Sequence, residues 1–108
     1  MNIYESSNGY NAKYRTTLVP QKHVTVERIE GGTVISVRRF GVGEIVEYGS
    51  YNLAYMGTIT NITTKCVIVK TDLRGETKRM KPGEFAWRNW DFSASAAQAK
   101  NSETSHYI

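Results

Sequence analysis

Few side chains in this sequence could carry out a reaction, and their spacing does not favour one. His23 and His106 have no cysteine or carboxylate near them at the spacing of a zinc site. Cys66 stands in the most apolar segment with no base beside it, so we expect it to behave as a small hydrophobic residue rather than a nucleophile. The sequence therefore predicts no enzyme, no metal site and no cofactor.

Two short motifs contain residue types used in reactions, but their settings favour structural roles. Gly41-Val42-Gly43 precedes a predicted strand, whereas a phosphate-binding loop needs the N-terminus of a helix behind it. Glu44 and Glu47 are three residues apart, and on a strand this odd separation sends them to opposite faces. The first motif is therefore expected to be a bend, and the two carboxylates are not expected to act as a pair.

Basic residues are better candidates for binding chemistry. The net charge is +4, and the segments 13–40 and 65–81 each carry six basic against two acidic side chains. The predicted phosphate contacts are Arg38, Arg39, Lys78, Arg79 and Lys81, which would add a salt-dependent attraction to nucleic acid. A solvated strand face gives the same count, and the two segments could converge or face opposite ways.

Aromatic side chains form the second set of binding candidates. Tyr51 and Tyr55 lie in or beside a predicted loop, where their rings could stack on bases or cover the end of the fold. In a predicted strand from Trp87 to Phe92, alternation places Arg88 and Trp90 on one face. One tryptophan is then expected in the core, and the other beside Arg88 as an interface anchor, although both could instead seal the core.

These candidates must be positioned by strands, because the apolar residues recur with a period of two. A hairpin is predicted over 23–40, with His23 to Ile29 and Thr33 to Phe40 joined by a turn at Glu30-Gly31-Gly32. The run Cys66 to Val69 is apolar on both faces, which predicts a central strand covered on both sides. A single helical turn is predicted over Gly83 to Ala86, before the closing strand.

The order of these elements resembles that of small barrels of the Src-homology type, a group that includes Tudor and KOW domains and many small phage and ribosome-associated proteins. The resemblance is carried by Gly43-Glu44-Ile45-Val46, Gly57-Thr58-Ile59, Val67-Ile68-Val69 and Glu84-Phe85. It implies an all-β fold with a five-stranded SH3-like barrel and a first long loop that borders the ligand groove. The hairpin over 23–40 is an additional N-terminal β-hairpin that extends the barrel sheet, packs a second small sheet against it, or serves as an arm that reaches another subunit.

The predicted organisation has three parts: an extended arm over 1–20, a β domain over 21–92 made of the hairpin 23–40 and the barrel 41–92, and a flexible tail over 93–108. The tail is small and polar and cannot bury enough surface to offset ordering. The N-terminus lacks the features of a signal peptide, and no apolar run is long enough for a membrane helix. We therefore expect a cytoplasmic protein with no membrane partner.

Two functional classes follow from these features. In the first, a nucleic-acid-binding module holds the backbone with its basic hairpins and stacks bases on exposed aromatic rings. In the second, an interaction or structural protein works through protein contacts, as a homo-oligomer or as a phage-encoded modulator of a host protein. The coincidence of charge clusters with hairpins favours the first class.

Overall fold

The computed structural model describes residues 2–7, 12–50, 53–71 and 75–92. These residues form eight strands and one helix: β1 Asn2–Ser7, β2 Ala12–Val19, β3 His23–Glu30, β4 Thr33–Gly41, β5 Ile45–Ser50, β6 Leu53–Ile62, β7 Val67–Thr71, β8 Thr77–Met80 and α1 Pro82–Asn89. The all-β class is confirmed. The predicted candidate Tyr51 and the predicted tail 93–108 lie outside the described residues.

Strands β1 to β4 form the first antiparallel sheet, in sequence order. Alternation explains its strands, because Ala12, Tyr14, Thr16 and Leu18 on β2 are buried while the residues between them face outward. Strands β3 and β4 are the hairpin predicted over 23–40, which is confirmed. Strands β1 and β2, which fall within residues predicted as an arm, pair with this hairpin and extend it into a sheet.

Strands β5 to β8 form the second antiparallel sheet, also in sequence order. Strand β7 lies between β6 and β8, so the prediction that it is central is confirmed. The prediction that it is covered on both faces is wrong, because Val67 and Val69 are buried whereas Ile68 is half-buried and Lys70 is exposed. The apolar run reflects one core face and one partly apolar outer face.

A single core joins the two sheets and the helix, built from Leu18, Val24 and Phe40 of the first sheet with residues of the second, and from Phe85 and Ala86 of α1. The chain crosses between the sheets at the turn after β4, where Gly43 N–H donates to the Ile59 carbonyl at 2.8 Å. The described strands make two sheets and do not close into one barrel. The helix packs mainly on β2 and β5.

The closing strand predicted over Trp87 to Phe92 is wrong, because α1 continues to Asn89 and a turn follows it. Pro82 suits the first helical position, and Phe85, Ala86 and Asn89 repeat at helical spacing and are buried. Consequently Trp87 points outward, with 51% of its surface exposed. Helical spacing rather than alternation therefore decides which tryptophan is exposed.

Candidate binding surfaces

Strand β8 sends two predicted candidates to opposite faces of the second sheet. Lys78 lies on the core side in register with Val69, is half-buried, and its ammonium donates to the Gly49 carbonyl at 2.5 Å. Arg79 is exposed on the outer face in register with Ile68. Lys78 therefore holds β8 to the end of β5, whereas Arg79 is free to meet a partner.

Arg79 belongs to a group of cations along β7 and β8, which we call the basic face: Lys65, Lys70, Arg79 and Lys81. Lys70 pairs with Thr77 and Arg79 with Ile68, so Lys70 and Arg79 occupy diagonal positions on one outer face. Lys81 follows Met80, the partner of Val67, and so lies at the same end of the strands as Lys65. All four are exposed, and none forms an ion pair with the residues that the structure describes.

Strand β4 places the other predicted basic pair away from this face. Arg39 is exposed on the outer face of the first sheet, while Arg38 is half-buried on the inner face with its guanidinium 5.4 Å from the Phe40 ring centre. Arg39 and Arg79 therefore lie on the outer faces of different sheets.

The ring of Tyr55 contacts another tyrosine ring of the same chain. Its ring stacks on that of Tyr48, with centres 5.7 Å apart and planes 27° apart, and Tyr48 is buried. Tyr55 itself is half-buried and packs against the shared core.

Arg88 and Trp90 were predicted to share a strand face, but the helix directs their side chains to different neighbours. The Arg88 guanidinium lies 4.9 Å from the Trp87 ring centre and packs so closely on Gly49 that a Cβ there would collide with it. The Trp90 ring instead lies under the guanidinium of Arg28, at 4.0 Å. Trp87 is therefore the exposed aromatic residue of this helix. The signal in the sequence is that Phe85 and Asn89, four residues apart, share the buried face of a helix, which places Trp87 on the opposite face.

Arg28 forms a polar anchor on the inner face of the first sheet. It donates to the Tyr14 hydroxyl at 3.0 Å and to the Glu30 carboxylate at 2.9 Å, while its guanidinium covers Trp90. Ser36 on β4 adds a hydrogen bond to the Trp90 carbonyl at 3.3 Å. Trp90 thus fastens the end of the helix to the first sheet.

A second exposed surface lies on β4, an edge strand of the first sheet. Val34, Ile35 and Val37 are 43%, 49% and 59% exposed. They lie on both sides of a bulge, where Arg28 pairs with Ser36 and Ile29 with Val34. The sequence predicts only a hairpin for this segment, although the uncharged and mostly β-branched run of residues 33–37 is a signal of an apolar edge.

Among the described residues no three histidine, cysteine, aspartate or glutamate side chains lie together as a metal site would require. No helix in that part of the chain is long and apolar enough to cross a membrane. No protein-family model, curated protein or solved structure matches the chain.

Proposed function

We propose that this chain is a non-enzymatic binding module that holds a nucleic-acid backbone on its basic face. The observation that carries the proposal is that Lys70 and Arg79 on the outer face of β7 and β8, with Lys65 just before β7 and Lys81 just after β8, are exposed and without acidic partners among the described residues. Cations of this kind replace the counterions of a phosphate chain, and the release of those counterions drives binding.

The neighbours of these cations favour phosphate contacts over base contacts. Thr58 and Thr77 occupy the same cross-strand row as Lys70, on the outer face, and threonine hydroxyls are common phosphate donors. The described outer positions of this sheet carry no aromatic ring on which a base could stack. We therefore propose binding that depends on salt and little on base sequence.

This proposal changes the residues that the sequence alone favoured. Arg79 and Lys81 stay, and Lys65 and Lys70 join them. Lys78, Tyr55 and Trp90 are given structural roles because each is engaged inside the protein. The resemblance to Src-homology-type barrels stays a hypothesis, supported by the order of β5 to β8 followed by a helix.

The test is a salt series of binding to fluorescent single-stranded and double-stranded oligonucleotides of mixed sequence. Four phosphate contacts should give a slope of log affinity against log salt of about −3.6 for duplex DNA and about −2.8 for a single strand. Absence of binding even at low salt would overturn the proposal.

A charge-matched comparison separates the basic face from a general effect of net charge. Replacing Lys70 and Arg79 with Gln should flatten the duplex slope by about 1.8. The control replaces Lys13 and Lys22 with Gln, which removes two exposed positive charges outside the basic face. Equal weakening by both pairs would show that the face has no special role.

Protein interaction is the second candidate function, and a different observation favours it. Strand β4 exposes apolar side chains along an edge, which is typical of a surface that pairs with another chain. This surface lies in the first sheet and the basic face in the second, so the two functions do not compete for the same residues.

A further inference from the structure

We propose that two copies of this chain pair through β4, antiparallel and edge to edge, so that their first sheets join into one sheet of eight strands. The proposal goes beyond nucleic-acid binding and does not depend on it. It commits to a second copy as the occupant of the β4 edge.

The composition of the β4 edge favours pairing with another strand. In the described chain β4 pairs with β3 on one side only, and no strand is hydrogen-bonded to its other side. From Thr33 to Val37 it carries neither a charge nor a proline, the usual devices that keep an edge from pairing. Its three exposed apolar side chains gain most if a second strand covers them.

Strand β4 is also complementary to itself. Residues directly opposite each other in a sheet share a face. Val34 and Val37 both lie on the outer face, because their partners Ile29 and Glu27 are two residues apart on β3. A two-fold axis between Ile35 and Ser36 therefore places Val34 opposite Val37 of the second copy, and this apolar pair occurs twice.

Charge selects the direction of pairing. The same register places Arg38 opposite Thr33 of the second copy, and Thr33 is paired with Glu30 on β3. Arg38 then lies in one cross-strand row with the partly exposed carboxylate of Glu30 of that copy. A parallel arrangement would instead set the Arg38 and Arg39 pairs of the two copies side by side, where like charges repel.

The other edge of the same sheet lacks this complementarity. Strand β1 exposes Ile3, at 58%, but carries the charged Glu5 at its centre. Ile3 therefore provides a control position of comparable exposure and residue type.

The test measures mass by light scattering during gel filtration, from about 10 µM to about 1 mM. The full chain should reach twice its 12.2 kDa mass. The double variants V34K/V37K and V34E/V37E should each stay at the single-chain mass, because like charges then lie opposite each other. An equimolar mixture of the two should recover the dimer mass, and Ile3→Lys should remain a dimer.

Cross-linking provides a second measurement that does not depend on charged variants. In a Cys66→Ser background, Val34→Cys mixed with Val37→Cys should form an intermolecular disulfide, because opposite positions bring Cβ atoms within about 5.5 Å. Val34→Cys alone should link far less. A wild-type mass of one chain at about 1 mM, loss of the dimer in Ile3→Lys, or equal linking by Val34→Cys alone would overturn the proposal.

Discussion

The side-chain amide of Asn89 pairs with both backbone groups of Glu47. The Glu47 N–H donates to Asn89 Oδ1 at 2.8 Å, and Asn89 Nδ2 donates to the Glu47 carbonyl at 3.0 Å. A neighbouring strand would make the same two bonds, so one buried side chain of α1 closes the free edge of β5. The helix thus provides, through Asn89, the contact that the sequence analysis assigned to a fifth strand.

Replacing Asn89 with Ala should lower the free energy of unfolding by about 2–4 kcal/mol. The substitution removes both bonds between the buried Asn89 amide and the part-buried backbone of Glu47, and also the bond to the Phe85 carbonyl. Urea denaturation measures the loss. The matched control is Asn61→Ala, whose half-exposed amide accepts one bond from the Ile62 N–H and should cost less than about 1 kcal/mol. Equal losses would contradict the role of Asn89.

Gly57→Ala should destabilise the second sheet because β6 and β7 leave no room for a side chain there. A Cβ at this position would lie 2.5 Å from Val69 Cγ1 and 2.8 Å from the Lys70 carbonyl oxygen, and backbone cannot yield easily. The expected cost is about 1–3 kcal/mol by thermal or urea unfolding. The control is Gly41→Ala, where a Cβ would stand at an ordinary 3.6 Å from the Lys22 carbonyl oxygen. A Gly57→Ala protein as stable as wild type would refute the close contact.

Arg28→Lys should loosen the end of the helix, because an ammonium cannot replace the planar fork of donors. We expect a loss of about 1–3 kcal/mol and a changed emission of Trp90, measured in a Trp87→Phe background in which Trp90 is the sole tryptophan. Arg15→Lys is the control, since its ion pair with Glu27 is long, at 3.7 Å, and partly exposed. Unchanged Trp90 emission in Arg28→Lys would contradict the stacking.

Local patterns predict the hairpin of β3 and β4 and the central strand β7, but not the pairing of β1 and β2 with that hairpin. The hairpin of β3 and β4 follows from alternation and from Gly31 and Gly32, which take positive φ at the turn. The prediction ended the helix at Ala86, although Phe85, Ala86 and Asn89 repeat at helical spacing. What the sequence does not show is that Asn89 pairs with a residue 42 positions away. Such distant contacts leave no local periodicity in the sequence.

The predicted basic residues show the same limit of local sequence patterns. Alternation predicts that Lys78 and Arg79 face opposite sides, and the apolar Met80 indicates that Lys78 shares the core side. What alternation cannot supply is the partner, because Gly49 approaches Lys78 only when β5 and β8 are folded around one core. The division of the basic residues into structural and exposed ones therefore depends on the tertiary fold.

We expect Lys78→Ala to lower stability and Arg79→Ala to weaken nucleic-acid binding, although the two residues are adjacent. Lys78→Ala removes a charged donor from the Gly49 carbonyl and should cost about 1–2 kcal/mol, while the salt dependence of nucleic-acid binding stays unchanged. Arg79→Ala changes an exposed side chain, so unfolding should shift by less than about 0.5 kcal/mol. Its binding slope with duplex DNA should flatten by about 0.9, the value for one phosphate contact. If Lys78→Ala instead flattened the slope at wild-type stability, Lys78 would be a phosphate ligand and its bond to Gly49 would not hold β8 to β5.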